Sequence, residues 1–262
     1  MSATTAQPRL VTIPISHFCE KARWALDRAQ IAFVEEPHLQ VVHIWKARRA
    51  GGGRTVPVLV ADGEVVADST AILEWVDRRL PPDKRLYPQA VDEEVRRIES
   101  WLDEGLGPDG RLWMYHGTLP VVRTMRQWAL AGVPPLERRA FRMFGWALEP
   151  FIRRYLGVDA SAARTALANV DQAFDEVGAL LGDGRRFLTG EQFTAADLTF
   201  GALSAAVLMP EAYGSPLPPL DAFPESMASE VRRLREHPAG RFVARLYASE
   251  RRPAPDLGTP VA

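Results

Sequence analysis

The apolar positions of this chain change period several times, and each change marks an element. The β-branched run Leu10-Val11-Thr12-Ile13-Pro14 predicts a strand. From Ser16 onward Phe18, Ala22, Trp24, Ala25 and Leu26 recur near helical spacing, with Glu20, Lys21, Arg23 and Asp27 between them. That pattern predicts a helix of about three turns. Residues 32–37 form a second strand candidate, and 43–54 is a polar stretch ending in Gly51-Gly52-Gly53, read as a loop with room for a short helix. Two further apolar runs, 56–61 and 65–67, flank Asp62-Gly63. This is a hairpin signal, because Asp-Gly tolerates the positive φ angles of tight turns between strands. Asp68-Ser69-Thr70 then precedes Ala71, Ile72, Leu73, Trp75 and Val76 at helical spacing, which predicts a capped helix.

The resulting order is strand, helix, strand, hairpin, helix. One βαβ unit joined to one ββα unit is the thioredoxin-like α/β plan. The proline-rich stretch 81–88 breaks the last helix. Beyond it the pattern is helical at 92–113, 135–156, 161–181, 194–208 and 224–251, with a proline-rich loop at 210–224. The sequence therefore divides into a thioredoxin-like domain (1–82), a linker (83–92), an all-α domain (93–251) and a tail expected to be disordered (252–262). Phe141, Phe144, Trp146, Phe151 and Tyr155 lie at roughly helical spacing and are expected in the core.

Composition narrows the function classes. The 262 residues are 47% hydrophobic, enough for one large domain or two ordinary ones, each with its own core. Net charge is -1, and Arg48-Arg49, Arg185-Arg186 and Arg251-Arg252 are too dispersed for a basic stripe, so no nucleic-acid partner is expected. Residues 1–8 lack the apolar core of a secretory signal, and no apolar run is long enough to span a bilayer. The expectation is a cytoplasmic protein without a membrane partner. Cys19 is the single cysteine, so no intramolecular disulfide forms. His17, His38, His43, His116 and His237 are scattered without ligand spacing, and no metal site is expected.

Three short segments carry candidate chemistry. Ser16-His17-Phe18-Cys19 lies where a strand turns into a helix. Unpaired N–H groups and the positive dipole end lower the pKa of a thiol held there. The Ser16 hydroxyl would donate to such a sulfur, or it is only an N-cap; both roles are compatible. In Thr55-Val56-Pro57 a proline heading a strand suits a cis bond, leaving Val56 to pair with an extended peptide. The plainer reading is an edge-strand proline. In Asp68-Ser69-Thr70 the hydroxyl and helix-start amides suit a carboxylate, and Asp68 suits an ammonium. Together they match an amino-acid end, or simply cap a helix.

In this order and spacing, the segments 16–26, 55–59 and 68–72 resemble the N-terminal domain of glutathione transferases. The resemblance implies glutathione as co-substrate, gripped at its γ-glutamyl end by Asp68 and Ser69 and at its cysteinyl backbone by Val56 beside a cis Pro57. It places Ser16 where some members carry a catalytic cysteine and others a serine. Residues 190–197, Gly-Glu-Gln-Phe-Thr-Ala-Ala-Asp, resemble the motif of the family's C-terminal domain. Physically this is a capping box, with Thr194 as N-cap, Asp197 reaching back and Phe193 able to staple onto Leu198. There are departures. Asp68 is shorter than the family's Glu or Gln, no tyrosine occupies the first strand–helix turn, and residues 115–156 match no class.

The reading is an enzyme in which Ser16 activates a glutathione thiolate for attack on a small electrophile, with a homodimer implied by the family. Two alternatives stand beside it: a non-catalytic binding protein on the same fold, and glutaredoxin-like thiol exchange through Cys19.

Overall fold

The computed structural model describes residues 7–121 and 125–251. The expected disordered tail, 252–262, lies outside the described residues. The chain opens with β1 (Arg9–Thr12), α1 (His17–Arg28), β2 (Val34–Pro37), α2 (Val42–Arg49), β3 (Val58–Ala61), β4 (Glu64–Ala67) and α3 (Ser69–Asp77). The strands form one sheet in the order β2-β1-β3-β4. β1 runs parallel to β2 and antiparallel to β3, and β3 and β4 form the hairpin. Asp62 and Gly63 both take positive φ, 54° and 79°, the conformation that a two-residue hairpin turn demands.

Strand alternation sorts the side chains to two faces. The cross-strand pair Leu10 and Leu59 enters the main core with Trp24, Leu26, Ile72 and Leu73 of α1 and α3. The next pair, Val11 and Val58, faces Ala47 of α2 in a smaller cluster. The sheet is thus covered on both faces. The polar stretch read mainly as a loop holds the two-turn helix α2, which ends where Gly51 adopts φ 92°.

The remainder is helical: α4 (Asp92–Glu104), α5 (Leu106–Thr118), α6 (Arg126–Ala129), α7 (Pro135–Leu156), α8 (Ala160–Leu180), α9 (Ala195–Leu208), α10 (Glu225–Glu236) and α11 (Pro238–Ser249). Every residue of α9 is buried, as its nearly uniform apolar sequence requires. Its capping box forms, with Asp197 accepting from the Thr194 N–H at 2.8 Å and from Leu188 N–H at 2.8 Å. α9 lies against α1, where Gly201 makes room for Trp24: a Cβ there would sit 2.9 Å from the indole. One core therefore runs through both halves.

Three expectations need correction. The predicted helix 92–113 is two helices, because the chain turns at Gly105 (φ -106°, ψ -80°) and α5 then continues to Thr118. The predicted helix 224–251 breaks at His237, which is extended (φ -65°, ψ 146°) because Pro238 disfavours helical geometry in the residue before it. The aromatic series of α7 is not core. Phe141 is partly buried, but Phe144, Trp146, Phe151 and Tyr155 are 61%, 66%, 49% and 64% exposed. The face of α7 that turns inward carries Glu137, Phe141, Gly145, Glu149 and Ile152 instead.

Candidate active site

Ser16 is the N-cap of α1, with extended backbone (φ -77°, ψ 119°), and its Oγ accepts the Cys19 N–H at 3.4 Å. That bond leaves the hydroxyl proton available to a ligand. Ser16 borders a cavity of about 280 Å³ that Val56, Pro57, Asp68 and Ser69 also line. The Val56–Pro57 peptide is cis. The Asp68 N–H donates to the Pro57 carbonyl at 3.3 Å, which joins the proline turn to the start of α3. Asp68 itself holds φ 92° and caps α3 through Oδ1, which accepts from Thr70 N–H at 2.8 Å and Ala71 N–H at 3.4 Å. Ser69 is the first residue of α3, at the positive end of the helix dipole.

Behind Ser69 the next side chain anchors the helix. Thr70 Oγ1 receives a bond from Lys21 Nζ at 2.9 Å and lies within 3.0 Å of Glu99 and 2.9 Å of Asp103. Lys21 is wholly buried and paired with Glu99 and Asp103 of α4 at 2.9 and 2.7 Å. Losing one member of such a buried cluster leaves an uncompensated charge, so the cluster fixes α3 against the helical half.

The other wall of the cavity comes from α5. Gly107, Arg111 and Tyr115 follow one another at helical i, i+4 spacing. A Cβ on Gly107 would meet the Phe18 ring at 2.5 Å, so glycine permits the close approach of α5 to α1. His17 Nε2 donates to the Gly107 carbonyl at 3.0 Å and ties the two helices. Burial first, and the Arg111 charge second, push His17 down to about 3, so the ring is neutral. Among the described residues that line the cavity, only Arg111 and Asp68 carry a formal charge. His43 also lines the cavity, and burial lowers its pKa.

Cys19 stands apart. It is wholly buried in the core. Burial pushes its thiol up, a larger effect than the opposing influences of Arg23 and Ser16. A buried thiol with a raised pKa is a poor nucleophile. The stretch at the strand–helix turn thus presents Ser16 to the cavity and turns Cys19 inward. Among the described residues no cluster of His, Cys, Asp and Glu has the makings of a metal site.

A second cavity, about 60 Å³ and almost wholly apolar, adjoins the first and shares Ile15, Met114 and Tyr115 with it. Leu39, Trp128, Phe141 and Ile152 are among its walls. Tyr115 sits at the seam. Its hydroxyl accepts from Gln40 Nε2 at 3.0 Å, and burial raises its pKa, so it keeps its own proton to give. The sequence alone does not mark Arg111, Tyr115 and His43 as cavity residues. The i, i+4 spacing of Arg111 and Tyr115 is visible there, but nothing local says which helix face meets the first domain.

Comparison with known proteins agrees with this layout. The family model described as Glutathione S-transferase, N-terminal domain, matches residues 10–84, and that described as Glutathione S-transferase, C-terminal domain, matches 136–224. No curated protein matches the chain in sequence. Among solved structures, the chain resembles a glutathione S-transferase of Ceriporiopsis subvermispora in complex with glutathione (15% identity, 98% of this chain and 100% of that one, TM-score 0.65). It also resembles a glutathione transferase of Phanerochaete chrysosporium (15% identity, 94% and 98%, TM-score 0.62). A third is the beta-etherase LigF of Sphingobium sp. strain SYK-6 (17% identity, 92% and 98%, TM-score 0.55). At these identities the likeness is one of fold.

Proposed function

Because the chain belongs to the glutathione S-transferase family, we propose that its larger cavity holds glutathione and activates the thiol for attack on an apolar electrophile. The observation that carries this reading is the convergence, in one cavity, of the Ser16 hydroxyl, the cis Val56–Pro57 edge and the Asp68-Ser69 start of α3. In this reading Val56 pairs with the cysteinyl backbone as a strand partner would. Ser69 and the α3 amides receive the γ-glutamyl carboxylate, and the free Asp68 oxygen receives the ammonium. Arg111 meets the remaining carboxylate. The Ser16 hydroxyl donates a hydrogen bond to the sulfur while keeping its proton, and the helix start adds its dipole, so the thiolate is favoured.

The thiol proton leaves to solvent. The sulfur then forms a bond to an electrophilic carbon held in the apolar cavity, and the bonding pair of the leaving group departs with it. Tyr115 stands where its hydroxyl would donate to negative charge developing on the acceptor. Family membership also supports the homodimer, and the cytoplasmic location and the division at 82 and 93 belong to the same reading.

Titration calorimetry with glutathione tests the binding half. We expect saturable binding that Ser69→Ala and Arg111→Ala each weaken by about 1–3 kcal/mol, the scale of hydrogen bonds to charged groups. Unchanged binding in both variants would remove the assignment. Binding without conjugation of any aromatic electrophile would favour a binding protein over an enzyme.

A further inference from the structure

Among the described residues, the outer face of α7 has no partner. Two adjacent rows run along it at helical spacing. One is Leu136, Arg139, Met143, Trp146, Pro150 and Arg154; the other is Ala140, Phe144, Ala147, Phe151 and Tyr155, and all eleven residues are exposed. Leu136 reaches 81% exposure, and Phe151 and Tyr155 stack in parallel at 5.9 Å. A continuous apolar face of this kind is rare on a lone soluble protein and marks a docking surface.

Charge identifies the occupant. The helix carries five arginines and two glutamates. Both glutamates are engaged away from the outer face. Glu137 binds His38 Nδ1 at 2.8 Å and the Leu39 N–H at 3.1 Å, while Glu149 pairs with Arg153 at 3.1 Å and lines the apolar cavity. Arg138, Arg139, Arg142 and Arg154 are exposed and have no ion-pair partner among the described residues. Were α7 to pack against its own copy across a two-fold, its outer face would set arginines against arginines and offer no carboxylate of its own to answer them. A basic helix with Trp, Phe, Tyr and Leu on one face instead has the composition of helices that lie in a lipid interface. There the rings sink to the headgroup level and the arginines reach up to the phosphates.

We propose that α7 docks this protein onto an anionic lipid surface. Among the described residues no helix is long and apolar enough to cross a membrane, and a helix lying in the interface needs no such length. The net charge of -1 does not oppose this, because the positive charge is local to one helix. Since the opposite face of α7 forms a wall of the apolar cavity, docking sets that cavity one helix away from the bilayer.

Co-sedimentation of the full chain with vesicles tests the proposal. Mixed phosphatidylglycerol–phosphatidylcholine vesicles should bind at least about tenfold more protein than pure phosphatidylcholine vesicles, and added salt should erode the difference. Trp146→Ala/Phe151→Ala and Arg139→Glu/Arg154→Glu should each reduce binding by about tenfold or more. Glutathione affinity and thermal midpoint should stay unchanged in both, since these side chains touch neither the cavity nor the core. Absence of vesicle binding, or equal binding to charged and neutral vesicles, would overturn the proposal. So would a concentration-dependent dimer that the Trp146→Ala/Phe151→Ala variant abolishes while vesicles stay unbound, which would assign the face to a second copy. The vesicle readout is independent of glutathione, so its failure and a failure of the thiol reading are distinct results.

Discussion

The segment from β1 to α3 and the helix α7 both hold their apolar side chains in strict periodicity, yet they use them in opposite ways. In the first, Leu10, Trp24, Leu26, Leu59 and Ile72 are fully removed from water, and the polar groups among them are answered by partners such as Glu99 and Asp103 for Lys21. In the second, the bulky rings face water and the glutamates face inward. Amphipathic spacing thus reports that a helix has an apolar face, and not where that face is satisfied. In the first region it is satisfied within the chain. In α7 half of it is left for something outside.

The largest effect that would break this contrast is acid sensitivity of the closed region. His17 is neutral in the folded protein down to about pH 3, because burial and Arg111 disfavour its charge. The unfolded chain takes up that proton near its ordinary value of 6.5. Its contribution is therefore complete above pH 6.5 and is lost as the pH falls toward 3, and linkage caps it at about 5 kcal/mol. Guanidinium unfolding at stepped pH should show stability dropping below pH 6.5. His17→Gln, which keeps a donor near the Gly107 carbonyl but cannot titrate, should flatten that drop. Equal slopes in the two proteins would mean that the seam between α1 and α5 is wetter than the structure shows.

A pair of tryptophans measures the contrast directly. Trp24→Ala removes a fully buried side chain packed against Gly201 and Tyr247, and should cost about 3–5 kcal/mol. Trp146→Ala, on the open face, should change stability by less than about 0.5 kcal/mol. A large loss at Trp146 in the isolated chain would show that α7 already has a partner in solution.

The legibility of the sequence follows the same line. The β1–α1 turn, the Asp62-Gly63 hairpin and the Thr194–Asp197 capping box were readable because each is fixed by neighbours within a few residues. The break at His237 was equally local, carried by Pro238, but helical periodicity on both sides masked it. Arg111, Tyr115 and His43 were not readable, because their place in the cavity depends on how α5 and α2 dock against the first strand–helix turn. The exposure of Phe144, Trp146, Phe151 and Tyr155 was not readable either. Their spacing would be the same beneath a core or beneath a lipid.

Asp68 gives a smaller and more discriminating effect, since it has two roles to separate. It caps α3, and in the proposed complex its other oxygen meets an ammonium. Asp68→Ala should lower stability by about 1 kcal/mol through the lost cap and weaken glutathione binding as well. Asp68→Asn keeps a capping oxygen and tolerates the positive φ, so stability should recover while binding stays weak. If Asp68→Asn restored both, the residue would be a cap only, and the ammonium would lie elsewhere.

An effect of similar size at Ser16 bears most directly on chemistry. Ser16 caps α1 by accepting from Cys19, which leaves one proton to donate. A bound thiolate accepts that proton strongly, whereas a thioether carries no charge to reward it. Ser16→Ala should therefore leave the affinity for an S-alkyl glutathione nearly unchanged and raise the pKa of the bound glutathione thiol by about one unit, equivalent to about 1.4 kcal/mol. The thiolate fraction near neutral pH, and with it the rate against a generic aromatic electrophile, would fall in proportion. Thiolate absorbance of the complex followed against pH reads this directly. Superimposable titrations of wild type and Ser16→Ala would reduce Ser16 to a helix cap. Cys19→Ser closes the argument from the other side. Its thiol is buried and its pKa is raised, so a folded Cys19→Ser protein should keep the wild-type thiolate titration. A titration that changed only in that variant would move the active sulfur to Cys19.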